Sequence, residues 1–343
     1  MSVLVNLFDP DYTPQRTTLS GHTTSVIACL QVEDNYVITG GCDKMIRVYN
    51  LINKRFLLQL SGHDGEVWAL KYAHGGILVS GSTDRTVRVW DIKKGCCTHV
   101  FKGHNSMVRC LDIVEYKNIK YIVTGSRDNT LHVWKLPKES SVPDHGEEHD
   151  YPLVFHTPEE NPYFVGVLRG HTATVRTVSG HGNIVISGSY DNTLIVWDVA
   201  QMKCLYILSG HTDPSPCAKI LGAMYTLRGH RALVGLLGLS DKFLVSASAD
   251  GSIRCWDANT YFLKHFFDHT QLNTITALHV SDEVLVSGSE GLLNIYDLNS
   301  GLLVRSDTLS GADNVWNVSF KDNTLVAAVE RDKRNLLEIL DFS

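Results

Sequence analysis

The sequence predicts an all-β protein built from repeated units of about 40 residues, and three observations support this. First, a Gly-His pair recurs at residues 21–22, 62–63, 103–104, 170–171, 210–211 and 229–230. Second, an aromatic residue, usually followed by Asp, comes about 27 to 30 residues after most of these pairs, as at Trp90-Asp91 and Trp197-Asp198. Third, segments such as ILVSGSTDRTVRVWD lie between the two marks, and their apolar and polar residues alternate on both sides of a turn, which indicates paired strands.

The spacing of the Gly-His pairs is regular except at two intervals. The interval from 103 to 170 is long, and it contains an acidic stretch with several prolines. We therefore expect a flexible surface insertion over residues 137–163, between the third and fourth repeats. The interval from 210 to 229 is short and lacks the inner strands and the Trp-Asp pair of a repeat, so we expect a truncated unit at residues 211–224.

A period near 40 residues with Gly-His and Trp-Asp marks resembles the WD-repeat β-propeller, whose blades each hold four antiparallel strands. On this resemblance, residues 1–343 form a single propeller domain with seven complete blades and the remnant of an eighth. The segment RTTLSG near the N-terminus is expected to complete the last blade after LLEILDF and so to close the ring without an unpaired edge. The resemblance also implies that each blade holds a structural hydrogen-bonded set, such as His63, Ser80, Asp84 and Trp90, so these histidines are not candidate catalysts.

Composition excludes several classes of protein. The chain carries 31 Lys and Arg against 37 Asp and Glu, a net charge of -6, which argues against a general nucleic-acid binder. No apolar run approaches the length that spans a membrane. The eight cysteines form no C-x-x-C pair and no secreted-type framework, which favours a reducing compartment, nuclear or cytoplasmic or both.

Motifs for chemistry are also missing from the sequence. It contains no metal-ligand spacing, no nucleophile elbow and no glycine-rich phosphate loop. We therefore expect no enzyme activity, no catalytic residue, no bound metal and no cofactor.

Two positions in each repeat are expected to surround one mouth of the propeller channel. The first is the residue after the apolar residue that opens the inner strand, and across the repeats it is Ile27, Trp68, Arg109, Arg176, Gly235, Thr276 and Trp316. The second is the residue before the turn Asp, and where the repeat is clear it is Cys42, Thr83, Arg127, Tyr190, Ala249 and Glu290. Three of these rim positions in adjacent repeats are arginines.

Arg109, Arg127 and Arg176 therefore converge in a protein that is acidic as a whole. Like charges without acidic partners at the matched positions repel one another, which predicts a strongly negative ligand. The planar guanidinium binds phosphate oxygens in pairs, so a phosphorylated segment of another protein is the natural candidate. By contrast, we expect Arg47, Arg88 and Arg254, on the blade strands, to be solvated or ion-paired.

Four further residues border the same region: Trp68, Thr83, Ser106 and Tyr190. They are suited to supply an apolar platform and hydroxyl donors, although each is equally suited to pack within its blade. A general WD-repeat scaffold that binds an unmodified partner remains the alternative to phosphopeptide recognition.

The segments YIVTGSRDNTLHVW, HGNIVISGSYDNTLIVWD and STDRTVRVWDIKKGCCTHVF resemble the WD-repeat domain of the cell-division-control F-box receptors of SCF ubiquitin ligases. This resemblance implies capture of phosphorylated degrons of cell-cycle regulatory proteins. It also implies that Arg109, Arg127 and Arg176 bind phosphate, with Trp68, Thr83, Ser106 and Tyr190 as neighbouring contacts.

This chain departs from that family at three points. The inner strands of the eighth blade are missing after Thr212-Asp213, and Met107 stands where a small hydroxyl residue is expected. No F-box helices precede the propeller in this chain, so we expect it to bind a substrate without docking onto the ligase adaptor.

Overall fold

The computed structural model describes residues 5–9, 11–22, 25–137, 151–191, 193–209, 234–260, 262–268, 274–306, 308–309 and 311–343. Over these residues the regular structure consists of one short helix, α1 (Val5–Phe8), and 29 strands. No helix in this part of the chain has the length and apolar character needed to cross a membrane.

The strands form seven sheets, and within each sheet the pairing strands mostly follow one another along the chain. The first three sheets are β2 (Ile27–Glu33), β3 (Tyr36–Gly41), β4 (Ile46–Asn50) and β5 (Arg55–Leu60); β6 (Val67–Ala73), β7 (Ile77–Ser82), β8 (Val87–Asp91) and β9 (Cys96–Phe101), with β13 (Leu153–Phe155); and β10 (Val108–Tyr116), β11 (Ile119–Ser126), β12 (Thr130–Lys135) and β14 (Phe164–Arg169).

The remaining four sheets have four strands each. They are β15 (Val175–His181), β16 (Ile184–Ser189), β17 (Thr193–Asp198) and β18 (Lys203–Ser209); β19 (Val234–Leu239), β20 (Phe243–Ser248), β21 (Ser252–Asp257) and β22 (Leu263–Asp268); β23 (Ala277–Val280), β24 (Val284–Gly288), β25 (Leu293–Asp297) and β26 (Leu302–Arg305); and β27 (Asn314–Lys321), β28 (Thr324–Arg331), β29 (Arg334–Asp341) and β1 (Gln15–Ser20). These are the seven complete blades that the sequence predicts, and the fold class is an all-β, seven-bladed propeller.

The chain divides into two compact units. The first unit comprises residues 1–43, 47–57 and 234–343 and holds the fifth, sixth and seventh sheets with most of the first. The second unit comprises residues 44–46 and 58–233 and holds the second, third and fourth sheets. All the candidate site residues belong to the second unit.

The hydrogen-bonded set expected in each blade is present in the second, third and fourth sheets. In the second sheet, His63 Nδ1 lies 2.7 Å from the Asp84 carboxylate, His63 Nε2 lies 2.6 Å from Ser80 Oγ, and the Trp90 indole donates to the same Oγ at 2.8 Å. The corresponding residues of the other two sheets are His104, Thr124, Asp128 and Trp134, and His171, Ser187, Asp191 and Trp197. In each set, hydrogen bonds connect the loop that enters a blade to the turn before its third strand. The candidate site residues lie in and beside this loop and this turn.

The N-terminal strand completes the last sheet, as the sequence predicts. β1 pairs antiparallel with β29, with Gln15 opposite Asp341 and Ser20 opposite Leu336. The pairing removes the free edge that β29 would otherwise present. The truncated unit predicted at 211–224 lies outside the described residues.

The insertion predicted at 137–163 differs from the expectation in two respects. It lies inside the third blade, between β12 and β14, rather than between the third and fourth blades, because the outer strand β14 pairs with β12. Residues 138–150 lie outside the described residues, but β13 in the second half pairs in parallel with β9 of the second sheet. Phe155 anchors this strand against Phe101, with ring centroids 6.0 Å apart. The apolar residues of this half bind it to the blade, so it is not the irregular loop that its composition predicts.

Candidate functional site

A β-bulge positions the first candidate residue of each blade in the second unit. The pairing register shifts between Val67 and Ala69, between Val108 and Cys110, and between Val175 and Thr177. The extra residues at these bulges are Trp68, Arg109 and Arg176. A bulge leaves its residue out of the regular alternation and redirects its side chain. The three side chains are half-buried, so part of each is accessible to a ligand.

One member of the predicted rim series is wrong. The first sheet shifts register between Ile27 and Cys29, so the equivalent residue is Ala28, while Ile27 is fully buried. The run of apolar residues in the sequence offers two possible openings of this strand. Only the cross-strand pairing distinguishes them.

The second candidate position is joined to the first by a repeated backbone hydrogen bond. The N–H of Thr83 donates to the carbonyl of Glu66 at 2.9 Å. The corresponding bonds run from Arg127 to Met107 at 3.0 Å and from Tyr190 to Thr174 at 3.0 Å. Each bond holds the turn residue beside the start of the inner strand, so both predicted series lie at the same end of their blades.

Arg109 links the second blade to the third and fourth. Its guanidinium carbon lies 3.8 Å from the centroid of the Trp68 ring, a cation–π contact. Burial lowers the pKa of Arg109 from its ordinary value, and the positive charge of Arg176 lowers it further. The structure thus places Arg109 against Trp68 and near Arg176.

No hydrogen bond or ion pair of the Arg109, Arg127 or Arg176 guanidinium occurs with any other described residue. Arg331, by comparison, donates to the buried Glu338 carboxylate at 2.6 Å. Arg127 is exposed at its turn. Arg109 is partly desolvated and near a second cation, and neither bonds a carboxylate among the described residues, so the pair is suited to bind an anion, which would relieve their repulsion.

Glu66 is a functional neighbour that the sequence reasoning missed. Its carboxylate accepts a hydrogen bond from the Trp68 indole at 2.9 Å, and its negative charge acts on Arg109. Its backbone N–H donates to Thr83 Oγ1 at 2.8 Å. The expectation that no acidic residue stands near the arginines considered only the matched positions, whereas Glu66 lies two residues before Trp68. The motif Glu-x-Trp was the available signal.

The remaining candidate residues have mixed roles. The Thr83 hydroxyl accepts the bond from Glu66 and keeps its own proton to donate. Tyr190 is 47% exposed and so presents its ring and hydroxyl. The carbonyl of Ser106 accepts from Ser126 Oγ at 3.2 Å, and this bond holds the loop that enters β10. Met107 is half-buried in that loop, in the position where the family pattern predicts a hydroxyl.

The arginines predicted to be structural lie on the blade strands. Arg47 pairs with Asp43 at 2.6 Å, which confirms an ion-paired role. Arg254 stacks on Phe266, with its guanidinium carbon 4.8 Å from the ring centroid. A carbon atom added at Gly62 would lie 2.8 Å from Arg88, which places this side chain beside the loop before His63.

Three titratable residues lie close enough together to suggest a metal site, namely His104, Asp128 and His132. The two imidazoles are stacked, however, with centroids 3.8 Å apart and planes 23° apart. Ring nitrogen lone pairs lie in the ring plane, so stacked rings direct them side by side and do not converge on one ion. Both nitrogens of His104 already contact Asp128 and Thr124. The trio is therefore the structural set of the third blade with a histidine packed on it.

The described geometry can be compared with known protein families. The family model "WD domain, G-beta repeat" matches residues 13–50, 54–91, 95–135, 162–198 and 222–257, which together exceed half of the chain. A crystal structure of the computationally designed Ika8 protein superposes with a TM-score of 0.64 at 26% sequence identity, covering 92% of this chain and 83% of that one.

Curated relatives are similar over nearly the whole chain. Cell division control protein 4 of Saccharomyces cerevisiae is 72% identical over 384 aligned positions, covering 99% of this chain and 49% of the relative. The protein of the same name from Candida albicans is 40% identical, covering 99% and 55%. The WD repeat-containing protein pop2 of Schizosaccharomyces pombe is 37% identical, covering 95% and 44%. The chain thus spans about half the length of these relatives.

Proposed function

This chain belongs to the WD40 repeat family, and because its propellers serve many different functions, we propose a function from the site itself. The second unit binds a phosphorylated segment of a partner protein. Arg109, Arg127 and Arg176 bind the phosphate. The observation that carries this proposal is that Arg109 and Arg176 occupy the bulges of neighbouring inner strands and bond no carboxylate among the described residues. Burial lowers the pKa of Arg109, and the positive charge of Arg176 lowers it further. A phosphate group supplies the negative charge and the several acceptor oxygens that such a site lacks.

The neighbouring residues complete a site for a peptide rather than for a free ion. Trp68 offers an aromatic face that already carries Arg109, and the exposed Tyr190 offers a second ring with a hydroxyl. Aromatic residues beside a charged centre bind the residues that flank a phosphorylated side chain through apolar contact. Glu66 places a negative charge at the Trp68 end, so the phosphate binds at the opposite end, toward Arg176.

We further propose that the chain is the substrate-binding part of a ubiquitin-ligase receptor. The similarity to cell division control protein 4 at 72% identity supports a role in cell-cycle control, with phosphorylated regulatory proteins as partners. In this role the chain selects the substrate and catalyses nothing itself. We place its site of action in the nucleus, the cytoplasm or both.

The test is a binding measurement by fluorescence polarisation with degenerate peptide libraries. One library carries a fixed phosphoserine or phosphothreonine, and the second carries the same residue without phosphate. We expect binding of the phosphorylated library only, with an affinity that falls as salt is added, because the contact is ionic. Equal binding of both libraries would overturn the proposal and favour a scaffold for unmodified partners.

A further inference from the structure

Asp112 ties together three neighbouring blades of the second unit through one buried carboxylate. Its side chain is almost fully buried, and it lies on β10, the inner strand of the third blade. Lys71 on β6 of the second blade contacts Oδ1 at 2.7 Å. The backbone N–H of Gly180 on β15 of the fourth blade donates to Oδ2 at 2.9 Å. The N–H of Ile113 donates to Oδ1 at 2.8 Å, which fixes the carboxylate on its own strand.

The three strands joined by Asp112 are the strands that carry the candidate site. Trp68 is on β6, Arg109 is on β10 and Arg176 is on β15. In each case the tied residue follows the site residue by three or four positions, a distance of about 10 to 13 Å along a strand. A change in the spacing of the strands at Asp112 would therefore also change the separation of the site residues at the bulges.

Two glycines show that the inner strands β10 and β15 approach closely, one beside Asp112 and one beside the bulges. A carbon atom added at Gly180 would lie 2.4 Å from Val114 Cγ1, so only glycine lets β15 come this near to β10. At the other end of the strands, an added carbon at Gly125 would lie 2.7 Å from Cγ1 of Val175, the residue before Arg176. The spacing of the inner strands is thus set at both ends, by packing beside the bulges and by Asp112 below them.

We propose that Asp112 is a positioning residue, which holds Trp68, Arg109 and Arg176 at the separation that a phosphate requires. This inference rests on the proposed function. Asp112 does not contact the ligand itself. It acts through the inner strands, since its two oxygens fix β6 and β15 relative to β10.

The chemistry of the carboxylate explains why an isosteric amide cannot replace it. An ionised carboxylate only accepts hydrogen bonds, and here it accepts from Lys71 on one oxygen and from Gly180 on the other. Asn at this position keeps one oxygen but turns an NH2 group toward one of the two donors. Asp112→Asn therefore breaks one of the two ties while it preserves the volume of the side chain.

The first test compares Asp112→Asn with a matched control, Asp198→Asn. Asp198 is equally buried in the same unit, but it accepts from Asn183 at 2.8 Å and from Gln201 at 2.9 Å, both within the fourth blade. We expect Asp112→Asn to weaken binding of a phosphothreonine peptide about 10-fold, since displaced guanidinium groups lose a charge-assisted contact. Asp198→Asn should stay within about 2-fold of the parent. Equal losses in the two variants would overturn the inference.

A double-mutant cycle separates positioning from a general loss of stability. In the Arg176→Ala background, one of the two guanidinium contacts that Asp112 positions is already gone, so Asp112→Asn should cost less affinity than it does in the parent. An undiminished loss in that background would show that Asp112 does not act through Arg176 and would overturn this part of the inference.

The last test needs no ligand, so it remains decisive if phosphate binding is absent. The protein is labelled with 5-fluorotryptophan, and the Trp68 signal is assigned in the ¹⁹F spectrum with Trp68→Phe. Asp112→Asn should shift that signal, because Arg109 lies over the ring, whereas Asp198→Asn should not. Lys71→Met removes the tie between Asp112 and β6, so this variant should shift the same signal if Asp112→Asn fails to fold. An unmoved Trp68 signal would overturn the positioning role. Failure of the parent to discriminate phosphorylated peptides would instead overturn the proposed function.

Discussion

The side chain of Arg109 makes a structural contact with Trp68, yet its charge has no ion-pair partner among the described residues. Its stem and guanidinium lie over Trp68, which orients the group without neutralising it. Burial and the nearby Arg176 lower its pKa, although the group keeps its charge at any physiological pH because arginine is a very strong base. The orientation is therefore established before the ligand arrives.

Arg127 provides the most direct test of the site at the scale of a residue. Its side chain is exposed, so Arg127→Ala should leave stability nearly unchanged. We expect phosphopeptide affinity to fall about 10- to 100-fold, the cost of about 1.5 to 3 kcal/mol for a lost bond to a charged group. Fluorescence polarisation measures the change. Arg88→Ala, on the strand β8, serves as the control and should bind as the parent does.

Glu66 should weaken the attraction of the site for an anion. Its carboxylate acts on Arg109 and accepts from Trp68, and it is partly exposed. Glu66→Gln keeps an oxygen for the indole and removes the charge, so we expect phosphopeptide affinity to rise by up to about 5-fold, in line with a screened pair of charges. The gain should shrink at high salt. A loss of affinity would show that Glu66 orients Trp68 or Arg109 more than it repels the ligand.

Buried His99 predicts an acid-sensitive second unit. Burial lowers the pKa of His99 to about 4, whereas an unfolded chain has an ordinary histidine near 6.5. Between these values only the unfolded state binds the proton, so stability falls as the pH falls through this window and is fully present above it. The slope is about 1.4 kcal/mol for each pH unit.

Replacement of the imidazole by a ring that does not titrate tests this dependence. His99→Phe retains the edge contact with Tyr163, whose ring centroid lies 5.3 Å away. Urea unfolding at pH 7 and at pH 5 should then show a smaller loss on acidification than in the parent. An identical loss in both proteins would assign the acid sensitivity to other groups.

The bulged inner strands are the elements that make the site. At two of the three bulges in the second unit the preceding valine packs closely against a glycine: Val108 against Gly81 and Val175 against Gly125. The glycine removes the side chain that would otherwise push the next blade away. The rim residue that follows the valine is therefore placed by contact between blades, not by its own blade alone.

Gly125→Ala should disturb both packing and binding. The new methyl group would lie 2.6 Å from Cys110 Sγ and 2.7 Å from Val175 Cγ1. We expect unfolding free energy to fall by about 1 to 3 kcal/mol, as for other overpacked sites, and phosphopeptide affinity to fall with it because Arg176 is displaced. Gly235→Ala is the control, since no atom lies within 4 Å of the added carbon. Urea unfolding and peptide binding on the same samples measure both effects.

At the scale of the whole molecule, the N-terminal strand holds the last blade through a buried charge. Glu338 on β29 is 1% exposed, and it accepts from Arg16 on β1 and Arg331 on β28, each at 2.6 Å. The helix α1, which precedes β1, is also anchored, since its Leu7 is fully buried in the core of the first unit. One carboxylate therefore joins β1 to β28 and β29, which lie more than 300 residues later in the sequence.

Glu338→Ala should weaken the attachment of β1 to the last blade. Removal of Glu338 leaves Arg16 and Arg331, both partly exposed, without their shared acceptor, and the loss of hydrogen bonds to a charged group costs about 1.5 to 3 kcal/mol. We expect the unfolding free energy to fall accordingly and the amide protons of β1 to exchange faster. Lys264→Met removes the exposed pair with Asp257 and should change stability much less. Unchanged exchange in β1 would show that backbone pairing alone holds the strand.

Much of the fold and part of the site follow from local patterns in the sequence. Repeated Gly-His and Trp-Asp marks are sufficient to predict seven blades, and the surplus strand at the N-terminus predicts the closure by β1. The identity of the candidate arginines also follows, because equivalent positions in a repeat occupy equivalent places in each blade.

Only the tertiary structure decides how the blades meet. The strand β13 on the edge of the second blade, the bulge at Ala28 rather than Ile27, and the contacts of Asp112 all depend on pairing between segments that carry no shared local signal. Periodicity along a strand determines which face a residue occupies, because side chains alternate with every residue. The register between strands, and the partner of a buried charge across blades, depend instead on close packing in three dimensions.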